Sequence, residues 1–274
     1  MIPLISSICY GPLGVCQLPR LWWKVLLRKA GLLDPDYPDC SGGLDTWVLE
    51  KLDLGKEATL TYLRNEMPTY LDFEVWVLDR KGGKLDKETV EAWNAFIRTR
   101  IHREQKRIEI HATVGRPDDG TLTSAVVLNH IEDWHLLYRR DLNGSFSELN
   151  GRVVPLISSI DYGPLGVCQL PRTWLKVLLK ARGVLHPDYP DCGGGLDARV
   201  LAVLNLDREA TLSYLRTEMP TYLDFETWVR EQVGGRIDRA AVEEWNQSIR
   251  ERIHNEQKRR EIHVTVGRHD NGTL

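Results

Sequence analysis

PDYPDC occupies residues 35–40 and returns, letter for letter, at residues 187–192. Prolines restrict both their own backbone and that of the residue before them, so the stretch reads as a stiff loop. The glycines that follow, in SGGLD and GGGLD, free the backbone just where a helix is expected to begin. The same offset of 152 residues aligns 4–122 with 156–274 without a gap, and about two-thirds of the paired residues are identical. A unit of this length is too long for a stacking solenoid repeat, which points instead to two similar globular domains in series. The boundaries read as 1–142 for the first copy and 153–274 for the second. NGSFSELNGR, 143–152, has the composition of a short flexible linker. The segment TSAVVLNHIEDWHLLYRRDL, 123–142, belongs to the first copy and has no counterpart in the second.

With 274 residues and 42% apolar content, each copy can bury a core of its own. Thirty-six basic residues against 39 acidic ones leave a formal charge of −3, which gives no overall field for a polyanion or an anionic membrane. No apolar run approaches the roughly 20 residues that span a bilayer. The apolar N-terminal stretch carries no positive charge before Arg20, and it recurs inside the chain as PLISSIDYGPLGVCQLPR. It therefore reads as part of the fold and not as a signal peptide, and the expected location is cytoplasmic. Five cysteines, Cys9, Cys16, Cys40, Cys168 and Cys192, form no CxxC pair and are odd in number, as reduced thiols would be.

The copies together locate the helices. Pro19 and Pro171 suit a first helical turn, with closure near Gly31 and Gly183. Leu44, Val48, Leu49 and Leu52 define a second helix. Gly55 exchanges with Asp207, and both are acceptable N-caps, so a third helix is expected over about 56–67, ahead of Pro68. Tyr70, Phe73, Trp76 and Val77 make a fourth. Asp86 caps a long fifth helix carrying Val90, Trp93, Ile97 and Ile101, whereas Phe96, replaced by Ser248, is expected outside the stripe. Val127, Ile131, Trp134 and Tyr138 give the tail a sixth helix with Thr123 as its cap. No segment sustains a period of two. The sequence predicts an all-α protein of two homologous helical domains, with about six helices in the first and five in the second.

PDYPDCxGGLD, EMPTYLDFExWV, RxRIHxEQKR and the tail LNHIEDWHLLYRRDL, taken in this order, resemble a small bacterial family described as a domain of unknown function. That domain has roughly 150 residues and occurs as one copy per protein. The resemblance covers nearly all of the first copy and the whole of the second. The tandem arrangement and the missing second tail depart from the family pattern. The resemblance implies no activity, cofactor or catalytic residue.

The most distinctive candidates for chemistry are Tyr37, Asp39, Cys40 and His102, with their twins Tyr189, Asp191, Cys192 and His254. Beside exposed amides at a helix start they would form one wall of a small-ligand pocket. The plain structural alternative is an ordered connector in which Asp39 or Asp45 caps the helix while Tyr37 and Cys40 pack inward. A glycine-rich turn without Lys-Ser or Lys-Thr is not a P-loop. Cys16, Cys40, His102 and His111 recur in both copies, but their separations are long and no close ligand pair exists, so no metal site is assigned. His130, Glu132, Asp133 and His135 cluster in the tail. HREQKR at 102–107 is interrupted by Glu104 in a domain that is not basic, which argues against nucleic acid. Asp72 and Glu74 suit the first turn of a helix.

These features favour an interaction or small-ligand-binding module. The alternative is an enzyme built on the Tyr/Asp/Cys/His set, with or without a metal; no cofactor is indicated. Expected partners are a small molecule or a protein, including self-association through a groove of the second copy around Trp174, Trp228 and Trp245 that lacks a tail helix to cover it. Neither nucleic acid nor a membrane is expected.

Overall fold

The computed structural model describes residues 1–142 and 153–268. Among these residues the protein is all-α, with two isolated β-bridges, Ile101 to Ser124 and Val153 to Leu185. The expected linker, 143–152, lies outside the described residues. The first half contains α1 (Leu18–Lys29), α2 (Leu44–Lys51), α3 (Lys56–Glu66), α4 (Tyr70–Arg80), α5 (Lys87–Thr99), α6 (Glu104–Val114) and α7 (Ala125–Leu136), which runs into a π-helical turn at Leu137–Leu142. The second half repeats the first six as α8 (Leu170–Ala181), α9 (Leu196–Val203), α10 (Arg208–Glu218), α11 (Tyr222–Gln232), α12 (Arg239–Arg250) and α13 (Glu256–Val266). No described helix is long and apolar enough to cross a membrane.

Local chemistry explains most of the boundaries. Thr69 and Thr221 accept from the amides of Asp72 and Asp224, while Asp86 accepts from Thr89. Asp207 accepts from Ala210, whereas its twin Gly55 caps α3 without a side chain.

Two expectations need correction. Each half has one helix more than expected, because the fifth helix does not run on through Ile101. At Arg100 the backbone turns extended, with φ −62° and ψ 137°, and its carbonyl accepts from Ala125 while the His102 amide donates to Thr123. The chain restarts as α6, leaving Ile101 64% exposed instead of on the buried stripe. The cap of α7 is Ser124, not Thr123, because the Thr123 carbonyl is engaged by His102.

Buried apolar residues form two clusters. One gathers α1 to α5 around Leu49, Leu63, Phe73 and Trp93, and Val126 joins it from α7. The other gathers α8 to α12 around Trp174, Phe225 and Trp245, and it also takes in Ile110 and Val114 of α6 and Ile131 and Trp134 of α7. The core boundary therefore does not follow the repeat boundary: most of α7 is packed into the second cluster.

The halves meet through the same surface on each. Arg116 pairs with Asp224, and the equivalent Arg268 pairs with Asp72. A cavity of about 480 Å³ between them is lined by matched residues, Ile8 with Ile160, Tyr10 with Tyr162 and Arg98 with Arg250. Reciprocity of this kind describes an internal pseudo-twofold axis.

The shared YGPLG motif shows why a glycine stands at 11 and 163. A Cβ at Gly163 would lie 2.4 Å from the Tyr222 ring and 2.6 Å from a Glu226 oxygen. Tyr222 is fixed between Trp134 and Trp174, at 4.6 and 5.5 Å between ring centroids. Replacing Gly163 by Ala is expected to cost about 1–3 kcal/mol in chemical denaturation. Gly11→Ala should cost less, because Tyr70, its neighbour, is only half-buried and has room to move.

Glu226 is buried against Tyr222 and the Leu165 amide, and burial pushes its carboxyl from 4.5 up to about 7. The folded state thus holds this proton more tightly than the unfolded chain. The resulting stabilisation is complete below pH 4.5 and is lost as the pH rises through about 7. Its size is about 3 kcal/mol. Glu226→Gln should flatten the dependence of stability on pH across this window.

Candidate functional site

The N-terminus of α1 begins the candidate site. Gln17 caps that helix in a left-handed backbone conformation, φ 72°, as Gln169 does in the second half at φ 71°. A non-glycine residue held there is strained, and strain of this kind collects at sites where the surroundings fix one geometry. The Gln17 amide donates to Asp45 at 2.7 Å. Two turns further along α1, the Lys24 ammonium donates to the other Asp45 oxygen at 2.6 Å, and the Ser41 amide donates to that same oxygen at 2.8 Å. Although burial alone would raise the Asp45 carboxyl, Lys24 and the Ser41 hydrogen bonds hold it below its usual range. The second half repeats the arrangement, with Asp197 held by Gln169 at 2.7 Å and Lys176 at 2.5 Å.

Above this floor α7 closes the first half. Asp133 accepts from the Tyr37 hydroxyl at 2.6 Å and pairs with Arg20 at 2.9 Å. Arg20 also donates to the carbonyls of Pro3 and Ile5, which ties the N-terminal segment to the site. Glu132 pairs with Lys106 of α6 at 3.1 Å, and Asn129 meets His102 at 2.7 Å. The cavity beneath α7, open to solvent on one side, measures about 380 Å³. Its walls come from α1, the loop before α2, the bridge segment 100–102, α6 and α7.

Of the residues expected to form a pocket wall, Tyr37 and His102 line this cavity. Burial lowers the His102 pKa, so the ring enters the site neutral. Asp39 and Cys40 do not line it. Asp39 forms an ion pair with Arg64 at 2.7 Å, and the Cys40 thiol points to the Ser41 carbonyl and Thr46 hydroxyl. The twins behave alike: Asp191 pairs with Arg216, while Cys192 is buried and its carbonyl accepts from Arg208. Among the described residues, His254 sits ahead of α13 with no α7 equivalent beside it, and Tyr189 has no hydrogen bond from its hydroxyl.

Asp45 is not the cap of α2, which is Gly43, but the buried acceptor of the site floor. Sequence reasoning passed over Gln17, Arg20, Lys24 and Arg100. A usable signal was present: two cations, Arg20 and Lys24, one turn apart within the apolar part of the helix LPRLWWKVLLRK, ahead of the basic last turn, and repeated at Arg172 and Lys176. Cations on a buried face require partners.

Other chemistry is not assembled. Among the described residues, no three His, Cys, Asp or Glu groups converge as a metal ion would require. Burial raises the Cys16 thiol to about 11 and also raises Cys40, so neither is a thiolate near neutral pH. The basic segment of α6 is neutralised within the fold, Lys106 by Glu132 and Arg107 by Asp118.

Removing Asp133 would leave the Arg20 guanidinium in a mostly buried setting without a counter-charge. Asp133→Ala should therefore cost about 3–5 kcal/mol in urea denaturation. Tyr37→Phe, which removes one hydrogen bond to the same carboxylate, should cost only about 0.5–1.5 kcal/mol.

No family model, curated protein or solved structure matches the chain, which leaves the cavity's own chemistry as the guide to function.

Proposed function

We propose that the protein is a cytoplasmic binding module of two tandem helical domains, related to the small uncharacterised bacterial family that its motifs resemble. In this reading the first domain holds a small polar ligand in the cavity beneath α7. The observation that carries the reading is what the cavity lining leaves unmatched. Arg20, Lys24 and Lys106 each face a carboxylate, but Arg100 has no ion-pair partner among the described residues. Gln17 Oε1 is buried there and accepts no hydrogen bond. A ligand with one anionic group for Arg100 and one donor for Gln17 would satisfy both. Small hydroxy- and aminocarboxylates have that combination, and the cavity volume is in the range that such sites occupy.

The enzyme reading has less support. Its four groups are divided between the cavity and the outer loop, and the thiols are held protonated. Binding needs only the unmatched polar atoms.

The test compares native and denatured masses of the purified protein, followed by thermal shift against a panel of hydroxy- and aminocarboxylates. A retained mass or an upward shift in Tm is expected for the unaltered chain. Arg100→Gln should abolish either signal and leave the unliganded Tm nearly unchanged. Absence of any response across the panel, or a shift that persists in Arg100→Gln, would reject the proposed ligand class.

A further inference from the structure

Helix α7 makes three kinds of contact, and the pseudo-twofold axis generates an image of each. First, α7 covers α6, where Ile110 is 0% and Val114 5% exposed. At the equivalent positions of α13, Ile262 is 38% and Val266 44% exposed. Second, α7 supplies Asp133 to Arg20 and Tyr37. In the second half Arg172 still donates to the carbonyls of Pro155 and Ile157, as Arg20 does to Pro3 and Ile5, but no carboxylate pairs with it among the described residues. Third, α7 reaches across the axis, placing Trp134 on Tyr222, while the π-helical turn that continues it donates from the Tyr138 hydroxyl to the Met219 carbonyl at 2.7 Å. The images of those partners, Tyr70 and Met67, are half-buried and 40% exposed, respectively.

The uncovered groove therefore differs from the one expected around Trp174, Trp228 and Trp245. Trp174 is fully buried where its twin Trp22 is half-buried, because Trp134 of the first half packs on the Tyr222 ring beside it, whereas Trp245 is buried in its own half as Trp93 is, and Trp228 stays half-buried. The surface left open combines α13 and Arg172 of the second half with Tyr70 and Trp22 of the first. Trp22 meets Tyr70 edge-on at 5.4 Å, as Trp174 meets Tyr222 at 5.5 Å, so the first half presents the same aromatic pair that receives Trp134.

We infer that this surface is a docking groove for a second helix of the α7 type, supplied by a separate polypeptide. The three open patches are symmetry images of the contacts of one helix, so one helix can reach them together. Charge specifies it further: the occupant needs a carboxylate for Arg172 immediately before a tryptophan for Tyr70, and a tyrosine four residues after that, as in Asp133, Trp134 and Tyr138. Helix α7 itself is already engaged by Arg20, Tyr37 and Tyr222, so it is not the occupant. Burying the exposed side chains of α13 supplies the apolar contribution, and amphipathic helices in grooves are a common mode of recognition.

The direct test titrates the full chain into a fluorescently labelled synthetic peptide with the sequence of residues 121–142 and follows anisotropy. Saturable 1:1 binding is expected. It should weaken at least about tenfold with Val266→Glu, a substitution on an exposed face that leaves the fold intact, and equally when the peptide carries Asp133→Ala. Three results would overturn the inference. One is no saturation by about 100 μM chain. Another is affinity unchanged by Val266→Glu, which would mean that the peptide displaces α7 itself. The third is a stable homodimer, seen by sedimentation, that the peptide does not dissociate.

Discussion

The contact between Asp133 and Arg20 on one side of α7, and between Trp134 and Tyr222 on the other, fixes the rest of the molecule. One helix satisfies a buried cation of the first half and completes the apolar cluster of the second. The two interactions differ in kind. The ion pair is directional and holds α7 in register over the polar cavity, because Asp133 meets the Arg20 guanidinium and the Tyr37 hydroxyl together. The aromatic contact is larger in area and supplies attraction with less demand on register. Position along the helix is thus set by charge, while adhesion to the other half comes from apolar burial.

Symmetry explains why identical sequences have different surroundings. Gln17, Lys24 and Asp45 have the same geometry as Gln169, Lys176 and Asp197, since that network lies within each half and needs nothing from across the axis. Arg20 and Arg172 diverge because their environment includes α7 in one half and, among the described residues, no such helix in the other. The cavity beneath α7 belongs to the first half for the same reason.

Much of the helix pattern was legible in the residues. Pro19, Thr69, Asp86 and the exchange of Gly55 for Asp207 are local signals, and local hydrogen bonds decide helix starts. The break after Arg100 was not legible in the first copy, since Ile97 and Ile101 keep helical spacing and the extended turn is held by pairing with Thr123 and Ala125. The second copy held a clue in Asn255, which caps α13 through the Lys258 amide. For the site, Tyr37 and His102 were visible as unusual residue types in repeated motifs. Asp39 and Cys40 were equally unusual, but they serve the outer loop. Nothing in their neighbours distinguishes a tyrosine pointing toward a helix nearly a hundred residues away from a carboxylate pairing with Arg64. The crossing of α7 between halves was hidden for a related reason: a 152-residue offset shows which segments are related, but not which of them touch.

The crossing of α7 also has a consequence for how the chain is made. Tyr138 and its partner Met219 are 81 residues apart, and the tail is synthesised before the groove that receives it. At about 5–20 residues per second, translation leaves the apolar face of α7 without its partner for roughly 4–16 s. During that interval Asp133 can already anchor the helix to Arg20, which comes from an earlier part of the chain. The early ion pair would keep the tail docked on its own half while Trp134 waits for the second half to emerge.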